Sequence, residues 1–180
     1  MLWESQISRV RVLETVVAWG AQSMLGYAVD RGTGTSAIRS RYEIPYSLPV
    51  GGKTGTTNEA TNAWFVGFTP DLVTTTWMGF DRPQRIYNGA TGGGRAAQVG
   101  AAVLAHYYQT RPHPEPWERP LNLIDRTVDE TTGLLATQWC PIDVSYKEVY
   151  IIGTEPTETC DIHVPFNAET RNPGRSDGVR

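Results

Sequence analysis

The 180 residues carry a formal charge of −3, with 39% hydrophobic and 19% charged side chains, the profile of a folded chain able to build one sizeable core. The mild acidity and the scattered arginines exclude the basic stripe of a nucleic-acid binder, so no nucleic-acid partner is expected. No run nears the ~18 apolar residues a bilayer span requires. MLWESQISRV has no basic n-region with an apolar core, so it is not a signal peptide, and taken alone the chain reads as cytosolic.

Residues 8–29, SRVRVLETVVAWGAQSMLGYAV, set Val10, Leu13, Val17, Ala21, Met24 and Ala28 at steps of three and four. That spacing predicts a helix with this face in a core. DRGTGT stops it, because Gly accepts positive φ, and residues 36–48 form a connector with Pro45 inside it and Pro49 directly after it. Three strand-like runs follow: GGKTGTT (51–57), AWFVGF (63–68) and LVTTTWMGF (72–80). The short TPD connection makes the last two antiparallel. Trp64 and Phe65 read as core. Asn58, Glu59, Thr61 and Asn62 read as a solvated turn, and Asp30 and Asp81 as acids that could orient arginines.

Residues 88–109 begin in a Gly-rich loop and become a helix with Ala96, Val99, Val103, Leu104 and Tyr107 facing the core. Four prolines in 110–120 mark a linker, placed at 111–120. A small appendage with a different character occupies 121–165, and the polar stretch 166–180 reads as a disordered tail. Helix, three strands and helix in this order predict an α+β fold, an antiparallel sheet packed with helices.

Lys53 in LPVGGKTGTTNEATN (48–62) admits three readings. A phosphate loop needs Gly five positions before Gly52, where Ser47 stands, and must open a helix. A lone Lys-Thr-Gly also fits a surface lysine on an edge strand. The third reading is a carboxylate-binding strand of a serine acyl-transfer site. There Gly55 leaves room for an extended peptide, Thr54 and Thr56 share a face, Lys53 attracts an anion, and a strand N–H stabilises an oxyanion.

The stretch 48–81, LPVGGKTGTTNEATNAWFVGFTPDLVTTTWMGFD, resembles the transpeptidase domain of class A, bifunctional penicillin-binding proteins. VDRGTGTSAI (29–38), TGGGRAAQVGAAVLAHYY (91–108) and residues 129–160 resemble the flanking parts of that family in the same order. The resemblance implies a partial penicillin-binding-protein, serine β-lactamase-like fold over 1–110. It implies a D,D-transpeptidase that cross-links peptidoglycan through a serine acyl-enzyme, with D-Ala-D-Ala stem peptides as substrate and β-lactams as ligands. Lys53, Thr54, Gly55 and Thr56 would then be catalytic, and with Thr57 would bind substrate: Lys53 in proton transfer and carboxylate attraction, Thr54 and Thr56 on the carboxylate, Gly55 for clearance, and the Thr56 amide in the oxyanion hole. Such a protein works on the extracytoplasmic side of the membrane.

The family's other two motifs, S-x-x-K and S-x-N, are absent: no serine here has Lys three places on or Asn two places on, and Ser145-Tyr-Lys147 is the nearest miss. The expectation is a C-terminal fragment, inactive alone, whose glycosyltransferase domain and membrane anchor lie upstream. A non-catalytic remnant that binds peptidoglycan or a partner is the alternative. Gln98 stands where the resemblance leads one to expect proline. No cofactor and no metal are expected. Cys140, Cys160 and His163 suggest half a zinc site without an evident fourth ligand. In an extracytoplasmic protein a Cys140–Cys160 disulfide is the candidate, worth about 3 kcal/mol.

Overall fold

The computed structural model describes residues 10–165; the tail expected at 166–180 lies outside them. The chain divides into two compact units at Pro120–Leu121. In the first, β1 (Gly51–Thr56), β2 (Asn62–Phe68) and β3 (Val73–Gly79) form an antiparallel sheet in that order. Their β-branched and aromatic side chains suit a pleated surface. Thr69 closes the β2–β3 turn: its N–H donates to the Leu72 carbonyl (2.8 Å) and its hydroxyl to Asp71 Oδ1 (2.9 Å).

Directly paired residues share a face of a sheet. Thr54 pairs with Phe65 and Thr56 with Ala63, while Gly55 pairs with Trp64, which pairs with Trp77. Phe65 is fully buried at the centre of a core with Val29, Ile38, Leu48, Val50, Ala101 and Leu104. The helices α1 (Thr15–Asp30) and α2 (Ala97–Tyr108) both meet this face. Gly52 of β1 is packed by both Val29 and Phe65, and Gly100 lies against Phe65. The α+β architecture is therefore a one-sided helix-on-sheet layer.

Three packing expectations are corrected. Trp64 is not core: strand alternation turns it to the opposite face, where it is half exposed beside Trp77, ring centroids 6.2 Å apart. On α1, Val17 and Met24 are exposed, as are Val10 and Leu13 before the helix. The helix meets the sheet through its last turns, Gly26 toward Val50 and Val29 toward Gly52, so the earlier apolar positions are left outside. On α2, Ala96 and Leu104 are buried as expected, but Val99 and Val103 are exposed and Tyr107 is only partly buried; Ala97, Gly100, Ala101 and Tyr108 face inward. A Cβ on Gly100 would stand 2.6 Å from Phe65 Cδ1, so this close approach selects small residues over large ones.

The second unit pairs β4 (Leu123–Asp129) with β5 (Ser145–Ile151) antiparallel. Val128 and Asp129 are fully buried at the end of β4. The expected Cys140–Cys160 disulfide is not formed: both are free thiols. Each sulfur meets other groups, the Thr137 N–H at Cys140 (3.3 Å) and His163 Nδ1 at Cys160 (3.4 Å). Among the described residues no helix is long and apolar enough to cross a membrane.

Candidate functional site

Three backbone segments, β1 among them, meet at the candidate site. The first is the turn after α1, where Gly34 N–H donates to the Ala28 carbonyl (2.9 Å) and a Cβ on Gly32 would crowd Ala28 at 2.9 Å, so the chain reverses tightly and presents Thr33. Arg39 anchors the connector behind it. Its buried guanidinium pairs with Asp30 at 2.7 Å, donates to the carbonyls of Ile44 (2.9 Å) and Pro45 (2.7 Å), and stacks over Tyr46. Asp30 thus orients an arginine, as its position in the sequence allowed.

The second segment is β1 itself, and the third is the π-helical turn Gly92–Ala96 that leads into α2. A Cβ on Gly92 would overlap the carbonyl oxygens of Gly55 and Trp64, and one on Gly93 would overlap the Thr33 carbonyl. Glycine here is a condition of close approach. The Gly92 N–H donates to Thr56 Oγ1 (2.9 Å), and the Thr33 and Thr54 hydroxyls share a hydrogen bond of 2.7 Å.

Together these segments enclose a hollow of about 360 Å³ lined by Thr33, Thr54, Thr56, Thr91, Gly93 and Gly94. Four hydroxyls and no carboxylate line it, which suits an anionic or carbonyl-rich ligand. Thr54 and Thr56 meet there because they are two apart on one strand. Lys53 and Gly55 fall on the other side of β1, and Lys53 Nζ donates to the Thr54 carbonyl (2.6 Å). Thr57 stands apart: its hydroxyl shares a hydrogen bond with Thr61 (2.8 Å) and accepts the Asn62 N–H (2.9 Å), holding the turn between β1 and β2. In that turn Glu59 pairs with Arg85 (2.6 Å).

Two features make β1 receptive. Among the described residues its outer edge has no strand partner, so its backbone groups are open to an extended ligand. A Cβ on Gly55 would meet only Trp64 Cβ, at an ordinary 3.5 Å, so that side chain space is open. Thr33 and Thr91 are site residues that the sequence reading missed; their Gly-rich settings, GTGT and TGGG, were the available signal. A larger groove of about 580 Å³ runs along α1, Pro49, Val50 and Trp117, but Asp30 and Arg39 in it already pair with each other, and Arg39 also donates to the Ile44 and Pro45 carbonyls.

Residues 119–165 match the family described as penicillin-binding protein 1A, C-terminal domain. Penicillin-binding protein 1A of Haemophilus influenzae is 34% identical over 156 residues, 83% of this chain and 17% of that protein. Penicillin-binding protein 1A of Clostridium novyi is 30% identical over 187 residues, 99% of this chain and 20% of that protein. The crystal structure of the Haemophilus influenzae protein superposes with a TM-score of 0.69 at 30% identity, over 83% of this chain and 22% of that one. The chain belongs to the class A penicillin-binding proteins and corresponds to their C-terminal part. It spans about a fifth of the length of these relatives.

Proposed function

We propose that β1 forms one wall of a penicillin-sensitive D,D-transpeptidase site that cross-links peptidoglycan. The observation that carries this reading is the threonine hollow beside a strand with a free edge. An extended stem peptide added along that edge would bring its terminal carboxylate to the Thr54 and Thr56 hydroxyls. Gly55 leaves the strand bare where the ligand backbone passes. Lys53 swings from the Thr54 carbonyl toward the reacting groups, attracts the carboxylate and assists proton transfer. The Thr56 amide stabilises the oxyanion of the tetrahedral intermediate. Thr57 supports the site by fixing the turn that ends β1.

The chemistry needs a serine to attack the penultimate D-Ala carbonyl, expel the terminal D-Ala and pass the acyl group to a second stem-peptide amine. No serine of this chain stands in S-x-x-K or S-x-N. The nucleophile therefore belongs to the portion of the relatives' length that this chain does not span, and the chain alone does not acylate. Stem peptides lie outside the cytoplasmic membrane, so the site works there.

The test is labelling by a fluorescent penicillin of a full-length protein with this chain as its C-terminal part. Labelling is expected in the wild type and lost in Lys53→Ala; a Lys53→Ala protein that labels normally overturns the role of Lys53. The missing serine motifs also allow a remnant that binds without reacting. Equilibrium binding of a D-Ala-D-Ala peptide to the isolated chain, with no acyl adduct in its mass, favours that reading.

A further inference from the structure

Asp129, Cys140 and the Cys160–His163 turn come together in the second unit from three separate parts of the chain. Their ligand atoms, two sulfurs, a ring nitrogen and a carboxylate oxygen, all lie within 4.8 Å of one another. We propose that these four residues hold a structural zinc ion that staples the second unit. The inference is independent of the transpeptidase reading.

The donor set selects the metal. Two thiols, an imidazole and one carboxylate suit a four-coordinate, borderline-soft ion; sulfur excludes calcium and magnesium. The spacing fits as well. Zinc–sulfur and zinc–nitrogen bonds of about 2.3 and 2.0 Å put a tetrahedral S···N edge at about 3.5 Å, and Cys160 Sγ to His163 Nδ1 is 3.4 Å. Asp129 Oδ2 to His163 Nδ1 is 2.7 Å, and opens to about 3.3 Å when both bind the ion. That movement is within the reach of side-chain rotation.

The surroundings hold each donor in place. Asp129 Oδ1 accepts the N–H groups of Thr131 (3.0 Å) and Thr132 (3.1 Å), which leaves Oδ2 for the cluster. The Asp129 backbone is itself pinned, its N–H to Leu134 and its carbonyl to Gly133. Cys140 ends a turn in which its N–H donates to the Thr137 carbonyl (3.1 Å) while the Thr137 N–H points at its sulfur. The Cys160 N–H donates to the Leu135 carbonyl (2.8 Å), which fixes the sulfur beside His163 Nδ1. Amides aimed at sulfur stabilise thiolates, the metal-binding form.

The balance is simple. Both thiols release protons to solvent, and Nδ1 gives its lone pair to the metal while the ring proton resides on Nε2. Two thiolates, one carboxylate and Zn²⁺ leave a net charge of −1, which the surrounding N–H groups offset. Because the donors come from Asp129 through His163, one ion closes the loops after β4 and after β5 together.

The experiment uses the full chain, reduced and stripped of metal, titrated with Zn²⁺ against a chelator and with Co²⁺ as a spectroscopic probe. The expected result is one metal per chain, an intense near-ultraviolet thiolate-to-cobalt band with tetrahedral visible bands, and higher thermal stability with zinc. Asp129→Asn and His163→Gln, which keep side-chain size, are expected to weaken zinc binding at least about tenfold. The proposal is overturned if the reduced wild type shows no thiolate-to-cobalt band. It is equally overturned if both variants bind zinc as tightly as the wild type, or if Cys140 and Cys160 oxidise to a disulfide in the presence of stoichiometric zinc.

Discussion

Gly92 rests directly on the backbone of Gly55, leaving no volume for a side chain, and its amide is spent on the hydroxyl of Thr56. The turn that starts α2 is in this way fastened to the strand that carries the candidate site. Gly92→Ala would drive a methyl group into two carbonyl oxygens that have no flexible end to yield. Its expected cost is about 1–3 kcal/mol, read as a lower urea midpoint of the full chain with an unchanged slope. A variant as stable as the wild type would show that the two segments are not fastened there.

The hydroxyls of Thr54 and Thr56 carry the proposed carboxylate contact. In a full-length protein, Thr54→Val keeps the shape of the residue and removes its hydroxyl. A hydrogen bond to a charged group is worth about 1.5–3 kcal/mol, so the penicillin acylation rate is expected to fall roughly 10–100-fold. Thr57→Val, in the turn, is expected to reduce stability while leaving that rate within a few-fold. Equal kinetic losses in both variants would remove the distinction drawn between them.

The β2–β3 turn is tied to α2 through acid–base groups. The Tyr108 hydroxyl meets both Asp71 and Thr69, the latter at 2.7 Å. The Tyr108 hydrogen bond holds the Asp71 carboxyl below its ordinary value of 3.8, so its stabilisation is present above about pH 4 and lost as pH falls further. Burial, and then the Asp71 bond, push the Tyr108 phenol up to about 12 from 10.0. That stabilisation is complete below pH 10 and disappears as pH rises toward 12. Denaturation midpoints across both windows are expected to fall in the wild type and to fall less in Tyr108→Phe. Parallel pH profiles would refute the coupling.

Phe65 joins both helices to the sheet. Phe65→Ala is expected to cost about 3–5 kcal/mol, measurable by calorimetry on the full chain. Because Gly100 and Gly52 are shaped around that ring, the neighbours have little means of filling the cavity.

The strands of the first unit were legible because alternation and β-branching are local properties. So was the Lys53–Thr56 run, whose period of two sets which side chains share a face. The faces of α1 and α2 were not. Periodicity assumes that the largest apolar residues face inward, yet α2 turns Val99 and Val103 outward and sets Gly100 against Phe65, where a side chain has no room. Trp64 was misplaced because two adjacent aromatics cannot share one side of a strand. Asp129 escaped notice as a partner of His163 because 34 positions separate them and no spacing rule links a strand end to a distant turn. Its one local sign was the DETT sequence, where the acid caps the amides that follow.

The bare outer rim of β1 also governs how the chain behaves in company. A flat row of glycines and threonines invites the same row of another molecule, and a cation within it is the usual deterrent. Lys53 is that cation, and it is expected to keep the protein apart from its own copies in addition to its proposed part in ligand binding. Replacing it with alanine would therefore lower solubility along with penicillin labelling. Lys53→Arg retains the charge but not the compact ammonium, so a soluble Lys53→Arg protein that fails to label would separate the chemical duty of this residue from the colloidal one.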